Sequence, residues 1–182
     1  MPRNNNSEAW YLDFKDDRII AATPERVWEC LLDLSVLKEC VPGCQSLTGN
    51  VDDGFAATVV QRVGPVKATF KGAIQLSDLN APKSLRISGK GEGGVAGFAR
   101  GGADVTLAAD GDGTKLTYAV EAQIGGKLAQ LGSRIIDSFV SQMADQFFET
   151  FQIQVEGSIL ILKEEPMRKI GLWQKFLRVI KK

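Results

Sequence analysis

Histidine is absent from this chain of 182 residues. Without it there is no Ser-His-Asp or Cys-His nucleophile system, no histidine-ligated zinc or haem, and none of the commonest general base near neutral pH. Cysteine is scarce. Cys30, Cys40 and Cys44 are the only three, Cys40 and Cys44 lack the C-x-x-C spacing of a zinc knuckle, and no second pair completes a site. The opening MPRNNNSEAW holds no apolar run, so no secretory signal is read and the expected compartment is the cytosol, where the thiols stay reduced. No paired carboxylates stand in a recognisable constellation. The composition therefore leans towards binding rather than catalysis, with no metal and no covalent cofactor expected.

At 44 % hydrophobic and 24 % charged residues, the chain suffices for one packed domain with short appendages. The 22 basic and 22 acidic residues cancel overall but not locally. Six basic residues and no acidic one follow Pro166: Arg168, Lys169, Lys175, Arg178, Lys181 and Lys182. That leaves 16 basic residues against 22 acidic ones in the body, which argues against nucleic-acid binding there.

The same terminal stretch, GLWQKFLRVIKK, is amphipathic at helical spacing. Trp173, Phe176, Leu177 and Ile180 share one arc, with Leu172 and Val179 at its edge, while Lys175, Arg178, Lys181 and Lys182 take the other side. It is far shorter than the roughly 20 apolar residues a spanning helix needs. The pattern fits a helix lying on an anionic membrane surface, through Leu172, Trp173, Lys175, Phe176, Leu177, Arg178, Ile180, Lys181 and Lys182. Docking on a partner protein or on its own domain remain the alternatives.

Along the body, WYLDFKDDRIIAA reads as a strand with a break near Asp16 and Asp17. In TPERVWECLLDL, Thr23 can cap a helix, Pro24 suits its first position, and Val27, Trp28, Leu31 and Leu32 form an apolar face. A second helical turn starts at Ser35 and stops at Pro42-Gly43. From Cys44 to about Gln123, strand patterns alternate with turns such as Asp52-Asp53-Gly54, Gly64-Pro65 and Asp110-Gly111-Asp112-Gly113, which predicts an antiparallel meander. A long helix is expected from Lys127 to Ile159, with Leu128, Leu131, Ile135, Phe139, Met143 and Phe147 as its stripe, widened by Ile136, Val140 and Phe151. Pro166 then breaks the chain before the terminal segment.

GKGEGGVAGFARGGA scans loosely as a phosphate loop, but it joins strand to strand and carries no Gly-Lys-Ser/Thr. It reads instead as a hairpin in which Gly89 and Gly91 remove bulk from one face, leaving space for a ligand in a curved sheet. One helix pair, a meander and a long C-terminal helix is the order of the α+β helix-grip fold, also called START-like or Bet v 1-like. In it a curved antiparallel sheet wraps around the C-terminal helix. The expected division is a polar tail at 1–9, the helix-grip domain at 10–160, a hinge at 161–169 and the amphipathic segment at 170–182. The expected apolar pocket is walled by Val59, Gln61, Phe70, Phe98 and Tyr118 from the sheet and by Leu131, Ile135, Phe139 and Met143 from the helix.

The stretches TPERVWECLLDLSVLKECVPGCQSL, VGPVKATFKGAIQLSDL, GEGGVAGFARGGADVTL, GTKLTYAVEAQIGGKLAQLGSRII and MADQFFETF also carry a family resemblance. Over most of Ile19 to Phe151 the chain resembles the CoxG proteins, the G-subunit family of carbon monoxide dehydrogenase. That resemblance implies an accessory protein of a molybdenum-containing dehydrogenase, needed for assembly or membrane association rather than as a redox subunit. The fold group implies a bound hydrophobic small molecule, and a quinone or other lipid would suit a protein held at the inner face of the cytoplasmic membrane. A general carrier of hydrophobic ligands, or a cyclase or hydrolase acting on one, are the alternatives.

Overall fold

In the computed structural model, which describes residues 9–163 and side chains as far as Gly157, strand β1 (Ala9–Ile20) runs unbroken. The interruption expected near Asp16 and Asp17 is corrected. Every residue of β1 pairs with the last strand, β7 (Gly113–Gly125), and the inward Asp16 carboxylate is held by Arg18 at 2.9 Å and by the Tyr118 hydroxyl at 3.4 Å.

Helix α1 (Pro24–Leu32) starts on the expected signal, with the Thr23 side chain accepting the Arg26 N–H at 3.4 Å. It buries Val27, Trp28 and Cys30. Asp33 ends α1 and caps α2 (Leu34–Cys40), its carboxylate accepting the Ser35 hydroxyl and the Ser35 and Val36 N–H groups. These bonds, the Ser35 hydroxyl first, hold the Asp33 carboxyl below its usual range. Asp33→Ala should therefore lower stability by about 1 kcal/mol at neutral pH. Because the folded-state pKa is depressed, this contribution is present above the ordinary carboxylate value and lost as pH falls through the lowered one. Thermal melts of both proteins should converge across that acid window.

The remaining strands are β2 (Cys44–Asn50), β3 (Gly54–Val63), β4 (Val66–Asn80), β5 (Ser84–Glu92) and β6 (Phe98–Asp110). With β1 and β7 they form one antiparallel sheet in the order β1-β7-β6-β5-β4-β3-β2, the meander that the turn spacing predicts. The glycine-rich stretch joins β5 to β6 through a short 3-10 turn, Gly94–Ala96.

The long helix begins later than expected. Residues Gly126–Leu131 form a 3-10 turn, and Gly132, at φ +82°, redirects the chain before α3 (Ser133–Lys163). The expected boundary at 160 thus falls inside α3. The rest of the expected hinge and the whole of segment 170–182, with Leu172, Trp173, Lys175, Phe176, Leu177, Arg178, Ile180, Lys181 and Lys182, lie outside the described residues.

Packing of α3 on the sheet forms two apolar clusters. One gathers Ile20, Val27, Leu116, Phe151 and Val155, each 1 % exposed or less, and the other Val63, Ile124, Leu128 and Ile136. One flank of α3 is fastened to β1: Arg18 meets Asp145 at 2.6 Å, Gln152 donates to the Ile19 carbonyl at 2.7 Å, and the Ala21 N–H donates to Glu156 at 3.2 Å. This is the helix-grip arrangement, and between the two clusters the helix stands off from the middle of the sheet.

Candidate ligand-binding site

Strand alternation determines what faces that gap. The inward positions of the central strands are small where the sheet is deepest. Ala57, Gly72, Gly91 and Ala99 form one cross-strand row on β3 to β6, and Gly89, Gly101 and Ala122 form another on β5 to β7. Larger residues stand at the ends of the same strands: Phe55, Val59, Phe70 and Ile74 towards β2, Leu85, Val105, Leu116 and Tyr118 towards α1. Leu37, Val41 and Leu47 close one side, and Ala144, Phe147 and Phe148 of α3 form the roof. The result is a cavity of about 590 Å³, partly open to solvent.

Its chemistry is almost wholly apolar. Lys90, Arg100 and Glu121 border it, but their strand positions send the side chains to the convex face of the sheet. There Arg100 donates to Gln123 at 2.6 Å and Glu121 accepts from Arg86 at 2.7 Å. Apolar surface left in water costs about 25 cal/mol per Å², so a wall of this chemistry favours an apolar occupant over water. The volume lies within the roughly 300–1,000 Å³ typical of small-molecule sites.

One polar cluster touches the wall. Tyr118 packs between Phe14 and Phe148, with ring centroids 5.9 and 4.9 Å away, and its hydroxyl reaches Asp16. Arg18 joins the same group and lies over the Phe148 ring at 5.6 Å. Burial pushes the Tyr118 phenol above its ordinary value, Arg18 opposing and Asp16 adding, so it stays protonated at neutral pH.

Of the residues expected in the wall, Val59, Phe70 and Tyr118 line the cavity; the other six do not. Gln61 shares the inward parity of Val59 but lies past the end of the cavity, where its amide donates to the Pro42 carbonyl at 2.5 Å. Phe98 is one residue out of phase with Ala99, and its ring lies against Gly125 and under the Arg100 guanidinium. Leu131 belongs to the 3-10 turn and, like Phe139, packs on the second cluster. Ile135 and Phe139 border a separate surface notch, and Met143 is half-buried outside the wall. The buried face of the helix lies along the other edge of its apolar stripe, through Ile136, Phe148, Phe151 and Val155. Gly72, Gly101, Ala57 and Ala99 join the floor without having been expected there, although small residues at alternate strand positions are the signal that marks them.

Cys44 also lines the cavity and is half-buried, whereas Cys30 and Cys40 are 1 % exposed. Burial raises both of these thiols, Cys40 to about 11. Iodoacetamide should accordingly modify Cys44 first in the native chain, with the other two reacting only on unfolding. Peptide mass mapping against time reads the order.

A model of the carbon monoxide dehydrogenase G-subunit family, CoxG, matches residues 18–156. The chain belongs to this family. The matched span takes in the whole cavity wall, from Leu31 to Phe148. No curated protein matches the sequence. Among solved structures, a conserved protein from Geobacillus kaustophilus is 29 % identical, covering 81 % of this CoxG chain and 97 % of its own, with a TM-score of 0.76. The Zhui aromatase/cyclase from Streptomyces sp. R1128 is 11 % identical, covering 82 % and 96 %, with a TM-score of 0.61. Ara h 8.0201 is 13 % identical, covering 81 % and 99 %, with a TM-score of 0.56. The last two share the helix-grip fold with this CoxG family member and nothing finer. Among the described residues, no helix is long and apolar enough to cross a membrane.

Proposed function

We propose that this CoxG family member is a non-catalytic accessory protein of a molybdenum-containing dehydrogenase of the carbon monoxide dehydrogenase type. It carries one lipophilic molecule, of the quinone class, in the cavity between α3 and the sheet. Segment 170–182 holds it at the inner face of the cytoplasmic membrane, where such molecules reside. The observation that carries the reading is the cavity of about 590 Å³ in a chain of this family, floored by glycine and alanine and without a charged side chain directed into it. Such a cavity would let a membrane-dissolved acceptor reach the dehydrogenase without exposing its apolar surface to water, which costs about 25 cal/mol per Å².

Cyclase or hydrolase chemistry has less support, since the Tyr118 phenol at the wall is already engaged by Asp16 and Arg18. The test reconstitutes the partner dehydrogenase with quinone-containing vesicles, with and without the full chain. The dehydrogenase should sediment with the vesicles, and reduce their quinone, only when the chain is present. Equal sedimentation and reduction without it would remove the accessory role. Transfer of quinone between vesicles with no effect on the dehydrogenase would instead favour a general carrier.

A further inference from the structure

Antiparallel connectivity sorts the turns of the sheet to two ends. One end carries the β2–β3, β4–β5 and β6–β7 turns, with Asp52, Asp53, Asp78, Asp110 and Asp112 against Lys83. The contacts of Gln152 and Glu156 with the end of β1 bring the C-terminal part of α3 to this acidic end. The opposite end carries the β3–β4 turn, the β5–β6 connection and the link from β7 to α3. Its charges are Arg62, Lys67, Lys90, Arg100, Lys127 and Arg134, against Glu92 and Asp137.

None of these six cations makes an ion pair among the described residues. The side chains of Arg62 and Arg134 make no hydrogen bond among the described residues either, and both residues border a shallow notch of about 330 Å³ whose walls include Ile135, Ser138 and Phe139. At the same end of the sheet, the turn Gly94–Ala96 packs on the turn Gly126–Leu131 that leads into α3. On that turn stands Val95, 86 % exposed, the most exposed large apolar side chain of the described surface. Unpaired guanidinium groups at the same end of the sheet as an exposed aliphatic tip match a lipid interface: phosphates satisfy the cations, and the tip enters the acyl boundary. A nucleic acid would use the cations and leave Val95 in water, and one exposed valine falls short of the apolar patch of roughly a few hundred Å² that marks a protein interface.

We propose that this basic end is a contact face for an anionic lipid surface, with the Arg62–Arg134 notch seating a headgroup phosphate and Val95 entering the interface. The face is independent of segment 170–182. That segment lies outside the described residues and follows the end of α3, whereas the cations of this face gather around its start.

The test uses the full chain and vesicles of phosphatidylcholine alone or mixed with phosphatidylglycerol, read by co-sedimentation and amide hydrogen exchange. Mixed vesicles should slow exchange at 62–67, 93–98 and 133–139. Each surface cation is worth about fivefold in affinity, so adding R62Q/R134Q to a chain that already carries K175Q/R178Q/K181Q/K182Q should weaken its binding about 25-fold. V95D should also lose protection at 93–98. All three side chains are exposed, so the fold should be unaffected. A K175Q/R178Q/K181Q/K182Q variant should keep the protection at these segments.

Unchanged binding when R62Q/R134Q or V95D is added to the tail charge variant, or no protection at the three segments, overturns the proposal. Failure of segment 170–182 as an anchor would show separately, as unchanged binding by its own charge variant. Sodium phosphate that protects all three segments as well as vesicles do would assign the notch to a free anion, and would likewise overturn a lipid contact.

Discussion

Gly91→Leu should leave the fold in place and empty the cavity. A Cβ built at Gly91 meets nothing within 4 Å, and its cross-strand neighbours are Gly72 and Ala99, so a leucine there projects into the unfilled space. Glycine inside a strand costs about 0.5–1 kcal/mol relative to alanine, so Gly91→Ala should if anything raise the melting temperature slightly. The leucine, by contrast, takes the room a ligand would use. Ligand recovered per chain should fall at least about tenfold, because losing about 1.4 kcal/mol of burial, under two methylene groups, already gives that factor. Paired thermal melts and solvent extractions of wild type, Gly91→Ala and Gly91→Leu make the comparison.

Gly101→Ala, one strand away on the same cavity floor, should have the opposite result. A Cβ there would collide with the Glu121 carbonyl of β7 and crowd the Ala122 backbone, neither of which can rotate aside. The two strands must separate locally, at a cost of about 1–3 kcal/mol. For a chain of this size each kcal/mol lowers the melting temperature by about 2–4 °C. Chains that remain folded at low temperature should still bind ligand, because one methyl group removes little of the volume. Two glycines that look alike in GKGEGGVAGFARGGA thus have different reasons to be there. One keeps space for an occupant, and the other keeps two backbones close.

That distinction is not legible in the sequence, although the fold largely is. Thr23-Pro24 starts α1, Asp110-Gly111-Asp112-Gly113 makes the β6–β7 turn, and each glycine- or proline-marked break becomes a hairpin, because local turn chemistry needs no tertiary information. The start of α3 is obscured because Leu128 and Leu131 continue the apolar spacing through a 3-10 turn, and only the left-handed φ of Gly132 separates the two. The cavity wall is harder. Phe98 fails by a single residue of phase, which is enough to turn a side chain to the other face of a sheet. On α3 the apolar stripe is so wide that either edge could face inward, and the sheet selects the edge carrying Ile136, Phe148 and Phe151. Large apolar residues draw the eye as a wall, whereas the floor is made by the absence of side chains at Gly72, Gly89, Gly91 and Gly101.

The most direct test of a lipophilic occupant is native mass spectrometry of the full chain purified in detergent-free buffer, followed by solvent extraction and identification of what is released. One apolar molecule per chain is expected, of the quinone class, lost on extraction and missing from Gly91→Leu. Wild type and Gly91→Leu that both fly at the bare protein mass, from cells that contain quinone, would contradict the account.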